Sequence, residues 1–179
     1  MPGTLYTIGH STRPWEEFSR LLHENAIGCL VDVRRFAGSR RNPQYSPDAM
    51  GPALAAEAIG YLPMPEFGGR RKPDDDSPNG AWRVEAFRGY ADYMASREFA
   101  LARERLMEQA LRDRTAVMCA EAVWWRCHRR LIADDFTARG WNVLHIMAPG
   151  KLQTHELNPA AVLGPADVLI YPPAQEQLF

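Results

Sequence analysis

The chain predicts an α/β fold: a single three-layer domain over residues 1–179, with a mainly parallel, Rossmann-like sheet and a long Gly/Pro/Arg-rich insertion after the second strand. Three observations carry this. Short apolar runs alternate with longer runs whose apolar residues recur at helical spacing. The order strand–helix–strand occurs near the N-terminus and again after Thr115. A length of 179 residues with 46% hydrophobic content suits one domain with a full core.

Residues 4–8 read as the first strand. Gly9-His10-Ser11-Thr12 follows as a turn, with Ser11 or Thr12 placed to cap a helix. Pro14 suits the first helical turn, and Glu16 and Glu17 complement the dipole there. Trp15, Phe18, Leu21 and Leu22 then recur at helical spacing to about Asn25. Gly28 introduces a second strand over 29–33. From Phe36 to about Ala81, Gly, Pro, Arg and Asn dominate. Within that stretch the sequence predicts a helix over about 47–58, a short strand over 59–62 and a solvated, mobile loop over 74–80. Helices follow over 87–94 and 99–112, and a buried strand over 115–119. A helix over 125–139 ends at Gly140, and a strand follows over 141–146. Beyond Ala148 periodicity fades, except for an edge strand over 167–170. The tail reads as flexible from about residue 172.

No apolar run approaches the ~20 residues of a transmembrane helix. The first residues lack the basic and apolar regions of a signal peptide. The expected location is the cytoplasm. Three cysteines, Cys29, Cys119 and Cys127, argue against a disulfide framework. A net charge of −1 predicts no nucleic-acid partner by itself. Of 21 basic residues only Lys72 and Lys151 are lysines, which leaves 19 arginines. A GC-rich genome accounts for the ratio but not for the clusters at Arg34-Arg35, Arg40-Arg41, Arg70-Arg71, and Arg126 with Arg129-Arg130. Planar donors gathered near strand ends suit phosphate or carboxylate ligands.

In a parallel sheet, His10, Asp32 with Arg34 and Arg35, and Cys119 with Glu121 all stand at the same edge and converge on one crevice. Each has a plain alternative. Asp32 pairs with Arg34 or caps a turn, or it is a catalytic or ribose-contacting carboxylate. His10 is a turn residue, or a general acid or base. Glu121 forms a structural salt bridge, or takes part in chemistry. Cys119 and Cys127 are small buried residues, or ligands, or nucleophiles. A zinc site from Cys119, Cys127, His128 and His10 lacks any compact zinc spacing, so no metal is expected. A phosphatase-type Cys-x5-Arg loop is one residue off, because Arg126 stands seven after Cys119. Cys127, beside Arg126 and His128 at a helix start, best fits a thiolate of lowered pKa. Trp124 and Trp125 cover a core or stack a base.

Thr7-Ile8-Gly9-His10-Ser11, Val31-Asp32-Val33-Arg34 with Ser39-Arg40, Tyr61-Leu62-Pro63 with Glu66-Phe67-Gly68-Gly69, Cys119-Ala120-Glu121 and Cys127-His128-Arg129 together resemble the DUF488 family. These motifs run in family order through most of the chain. The resemblance implies one α/β domain and supplies no activity, since the family name denotes an unknown function. It marks His10, Asp32, Arg34, Cys119, Glu121, Cys127, His128 and Arg129 as site residues. One departure is the bulky Val123-Trp124-Trp125 between the cysteine motifs. It puts in question whether the two thiols lie close enough to act together.

The expected function is an enzyme on a phosphate-bearing ligand, a nucleotide or nucleic acid, in the manner of a hydrolase or N-glycosidic cleavage. Glu121, Asp32, His10 and Cys127 would be catalytic. Arg34, Ser39, Arg40, Arg126, His128 and Arg129 would bind the ligand. No cofactor is named by the sequence. The competing expectation is a non-catalytic nucleotide-binding or DNA-repair-associated module. A thiol redox or zinc protein is the third. The last residues, Gln175 to Phe179, resemble the Gln-x-x-Leu-Phe peptide that docks sliding clamps, or else are a frayed end.

Overall fold

β1 (Thr4–Gly9) alternates strictly, sending Tyr6 and Ile8 to one face and Leu5 and Thr7 to the other. The computed structural model in which it is seen describes residues 2–38 and 40–175. α1 (Trp15–Glu24) buries Phe18, Leu21 and Leu22 against the Tyr6–Ile8 face. Its N-cap is Pro14 and carries no side-chain cap bond, so neither Ser11 nor Thr12 takes the expected role. Ser11 instead turns the chain in the left-handed region at φ 50°. β2 (Cys29–Asp32), α2 (Pro47–Ala56), β3 (Gly60–Pro63), α3 (Glu85–Tyr93), α4 (Arg97–Arg112) and β4 (Thr115–Cys119) follow. α4 is capped by Ser96, whose side chain accepts from the Phe99 N–H. α5 (Arg129–Ala138), β5 (Asn142–Ala148) and β6 (Lys151–Thr154) complete the main sheet. β7 (Val162–Leu163) and β8 (Leu169–Ile170) form a separate hairpin, so the segment expected at a sheet edge pairs elsewhere.

Among the described residues the architecture is mixed α/β, with five α-helices and a six-stranded sheet in the order β3-β2-β4-β1-β5-β6. The first five strands run parallel, and β6 returns antiparallel to β5. A hydrophobic core lies on each face. One holds α1 and α2 against Tyr6, Ile8, Leu30, Ala116 and Met118. The other holds α3, α4 and α5 against Leu5, Val31, Val117 and Val143. Register matters for the site. Gly9 pairs with Cys119, and Asp32 with Met118, so β1, β2 and β4 end together.

Two local expectations fail for identifiable reasons. The helix expected over 125–139 begins at Arg129. Trp124–Arg126 forms a short 3₁₀ turn, and Cys127 is extended at φ −129° and ψ 155°. Trp124 is drawn away to stack on His145, with ring centroids 4.5 Å apart and planes within 5°. The loop over 74–80 is tied down. Asp92 accepts from the Asp74 N–H, the Ser77 hydroxyl and the Asn79 amide, and the Asn79 carbonyl accepts from the Tyr171 N–H. No helix among the described residues is long and apolar enough to cross a membrane.

Candidate functional site

The three strand ends foreseen in the sequence do meet. The loop after β4 lies directly on β1, where His10 N–H donates to the Cys119 carbonyl and Ser11 N–H to that of Ala120. Glycine is required at position 9, because a Cβ there would stand 1.8 Å from the Glu121 carbonyl oxygen.

Beneath this loop the sulfurs of Cys119 and Cys127 are 2.8 Å apart. The bulky Val123-Trp124-Trp125 segment therefore does not separate them. Arg129, 1% exposed, reaches in from the first turn of α5. Its Nε donates to Cys119 Sγ at 3.0 Å, one Nη to Thr7 Oγ1 at 3.0 Å, and the other to the Glu121 carbonyl at 2.7 Å. Its backbone N–H points at Cys127 Sγ, 3.4 Å away. Among the described residues no carboxylate forms an ion pair with this buried guanidinium, and the ionisable group it hydrogen-bonds is the Cys119 sulfur. Burial pushes the Cys127 pKa up. The Cys119 hydrogen bond, the Arg129 charge and the helix N–H outweigh it and bring it down to about 7. Burial and the neighbouring sulfur drive Cys119 well above its ordinary value. The two shifts diverge, so Cys127 is the member of the pair that ionises first. His128 stands beside them, with Nδ1 3.5 Å from Cys127 Sγ and Nε2–H toward the Val33 carbonyl at 3.3 Å. Burial lowers its pKa.

Asp32 is 2% exposed and fully engaged. Oδ1 accepts from the Arg34 N–H and Nε, and Oδ2 accepts from Arg34 Nη at 2.7 Å and the Tyr61 hydroxyl at 2.6 Å. The bidentate pair fixes Arg34, which also donates to the Tyr45 carbonyl and to His10 Nε2. His10 stacks on Tyr45 at 4.2 Å and donates from Nδ1 to the Ser11 carbonyl. Burial takes its pKa down to about 4, so it is neutral near pH 7.

A cavity of about 370 Å³ opens over the sulfurs. Cys119, Cys127 and His128 line it together with Arg34, Arg35, Arg70, Arg126 and Glu121. Phe36, 63% exposed, stands at its edge, with the guanidinium carbons of Arg35 and Arg70 5.5 and 5.3 Å from its ring centre. A second cavity of about 440 Å³ shares Arg34, Phe36 and Glu121 and runs past His10 and Ser11. Of the residues expected at the site, Arg40 is exposed and lines neither cavity. Ser39 and residues 176–179 lie outside the described residues. Arg129 holds the sulfurs from below and does not line either cavity. Trp124 and Trp125 also line neither.

A buried polar chain behind Arg129 escaped the sequence. Thr7 Oγ1 is hydrogen-bonded to His145 Nδ1 at 2.6 Å, and His145 Nε2 to His155 Nδ1 at 2.9 Å. His155 Nε2–H donates to Asp134 Oδ1 at 2.7 Å, and the Tyr171 hydroxyl donates to Asp134 Oδ2 at 2.8 Å. The chain links buried Arg129 to buried Asp134 through Thr7, His145 and His155. Two signals were available: an imidazole inside the apolar Val143-Leu144-His145-Ile146, and an acid at Asp134 among the core residues of α5.

No curated protein and no solved structure matches the chain. The model of the family described as "Domain of unknown function DUF488" matches residues 14–136, more than half of the chain. The matched span contains Asp32, Arg34, both site cysteines, Glu121, His128 and Arg129, and begins after His10. The chain belongs to the DUF488 family.

Proposed function

We propose that the chain is a hydrolase-type enzyme acting on a phosphate-bearing ligand of the nucleotide kind, with Cys127 as nucleophile. The observation that carries this is the setting of the Cys127 sulfur. Cys119, Arg129 and the start of α5 bring its pKa down to about 7, and Cys127 lines a cavity walled by arginines. Arg35, Arg70 and Arg126 supply planar donors for phosphate. Exposed Phe36, flanked by two guanidiniums, is a stacking platform for a base. Asp32 and His10, whose polar atoms are occupied, serve to hold Arg34 in place. The free carboxyl role falls to Glu121, which is exposed and lines both cavities.

The Cys127 thiolate attacks the electrophilic centre beside the bound phosphate. The leaving group departs with the bonding pair and takes a proton from solvent. A water then displaces the sulfur, passes its proton by way of the Glu121 carboxylate to solvent and returns the thiolate. The test is turnover of nucleoside 5′-monophosphates, read as release of inorganic phosphate and of free base. Cys127→Ser and Glu121→Gln should each cost about 100-fold or more. Inorganic phosphate and AMP should slow alkylation of Cys127 by iodoacetamide. Protection without turnover would assign a binding module instead; neither protection nor turnover would remove the proposal.

A further inference from the structure

We infer that Cys119 and Cys127 are a modification site: a dithiol that a hydroperoxide closes into a disulfide and an external dithiol reopens, switching the Cys127 nucleophile off and on. It rests on Cys127 being the working nucleophile for its consequence, but not for its chemistry. The two sulfurs approach to 2.8 Å, non-bonded yet close to the ~2.05 Å of a covalent pair. Only the short loop over 120–126 separates them in the chain, so closure needs a small shift and no movement of the sheet. Both cysteines are among the residues that line the open cavity, and Cys127, 8% exposed, is the more accessible to a small oxidant. Arg129 touches both residues and keeps Thr7 and the Glu121 carbonyl as partners when the thiolate is gone. The guanidinium is therefore not stranded by oxidation.

The electrons balance in two steps. The Cys127 thiolate attacks the terminal oxygen of the hydroperoxide and the O–O bond breaks. The alkoxide leaves and takes a proton from solvent, giving an alcohol and a Cys127 sulfenic acid. The Cys119 sulfur then attacks the Cys127 sulfur and the S–O bond breaks. The departing hydroxide takes the Cys119 proton and leaves as water. Two thiols are oxidised by two electrons and one peroxide is reduced. The third cysteine is a built-in control. Cys29 lies at the opposite end of β2, and burial raises its pKa to about 11.

The full-length protein is treated with hydrogen peroxide, blocked with N-ethylmaleimide and digested for mass spectrometry. Free thiols should fall from the three cysteines of the chain to Cys29 alone. The Cys119–Cys127 cross-linked peptide should appear, and dithiothreitol should restore all of them. In Cys119→Ser, and in Cys119→Ala as a second form, dimedone should trap the Cys127 sulfenic acid about tenfold more than in the unaltered chain. Three persistent thiols, a bond to Cys29, or oxidation of Cys127 past the sulfenic acid without a cross-link would overturn the inference. A cross-link in a protein that shows no phosphate protection and no turnover would sink the hydrolase reading and leave the redox site standing.

Discussion

His10 and His145 are both buried and both neutral in the folded protein. Burial lowers His10 from 6.5 to about 4. Burial, with His155 and Arg129 adding to it, lowers His145 to about 3. Between pH 6.5 and these values the unfolded chain binds the protons that the folded chain refuses. Stability therefore rises with pH across that window and is lost on acidification. A tenfold change in proton affinity is worth about 1.4 kcal/mol, so His10 alone accounts for roughly 3 kcal/mol between pH 7 and pH 4. Melting temperature against pH should show this fall, and His10→Asn should flatten it. A profile unchanged by the substitution would show that His10 is not the group responsible. Cys127 also has a lowered pKa, about 7, and shows it through reactivity. Its alkylation should be half-maximal near pH 7. Arg129→Lys should move that midpoint upward by about one pH unit or more, because one ammonium cannot span Cys119, Thr7 and the Glu121 carbonyl together. An unmoved midpoint would remove Arg129 as the cause. The residues at strand ends were legible in the sequence. Their pairings were not: Tyr61 finds Asp32 and Thr7 finds His145 only through the sheet.

At the scale of the element, α1 and α2 end alike. Ala26 and Ala58 occupy the left-handed region at φ 52° and 57°. Ile27 N–H donates to Leu22 and Ile59 N–H to Leu54, as in a helix end that favours glycine. Both alanines are exposed, so Ala26→Gly and Ala58→Gly should each stabilise by about 0.5–1 kcal/mol in urea titrations. Gly140, at φ 85°, already uses this device at the end of α5, where the sequence predicts a stop. Gly9→Ala should cost about 2 kcal/mol or more, since its Cβ meets backbone rather than a yielding side chain. Unchanged urea midpoints would count against either account. Strands and helices were legible wherever the 2.0 or 3.6 period was strong, and 115–119 matches β4 residue for residue. The start of α5 was not, because the helical spacing of Trp125 to Arg129 competes with a long-range stack of Trp124 on His145.

For the whole molecule, convergence at one sheet edge followed from two strand–helix–strand patterns and the parallel geometry they imply. The order of the strands did not follow, since periodicity says nothing about which strand lies beside which. β1 sits between β4 and β5. If phosphate is the ligand, its protection of Cys127 should weaken as salt rises, in proportion to the number of arginines engaged. Protection independent of salt would point to contacts other than charge.

The placing of β1 also bears on how the chain is made. Its two neighbours, Thr115–Cys119 and Asn142–Ala148, are synthesised long after Gly9. At about 5–20 residues per second the nascent strand waits on the order of ten seconds with both edges unpaired. Each of its pairings closes a long loop, a cost that slows folding. β1, buried between its partners in the finished sheet, is thus the segment most exposed to mispairing on the ribosome, and a natural place for a chaperone to act first.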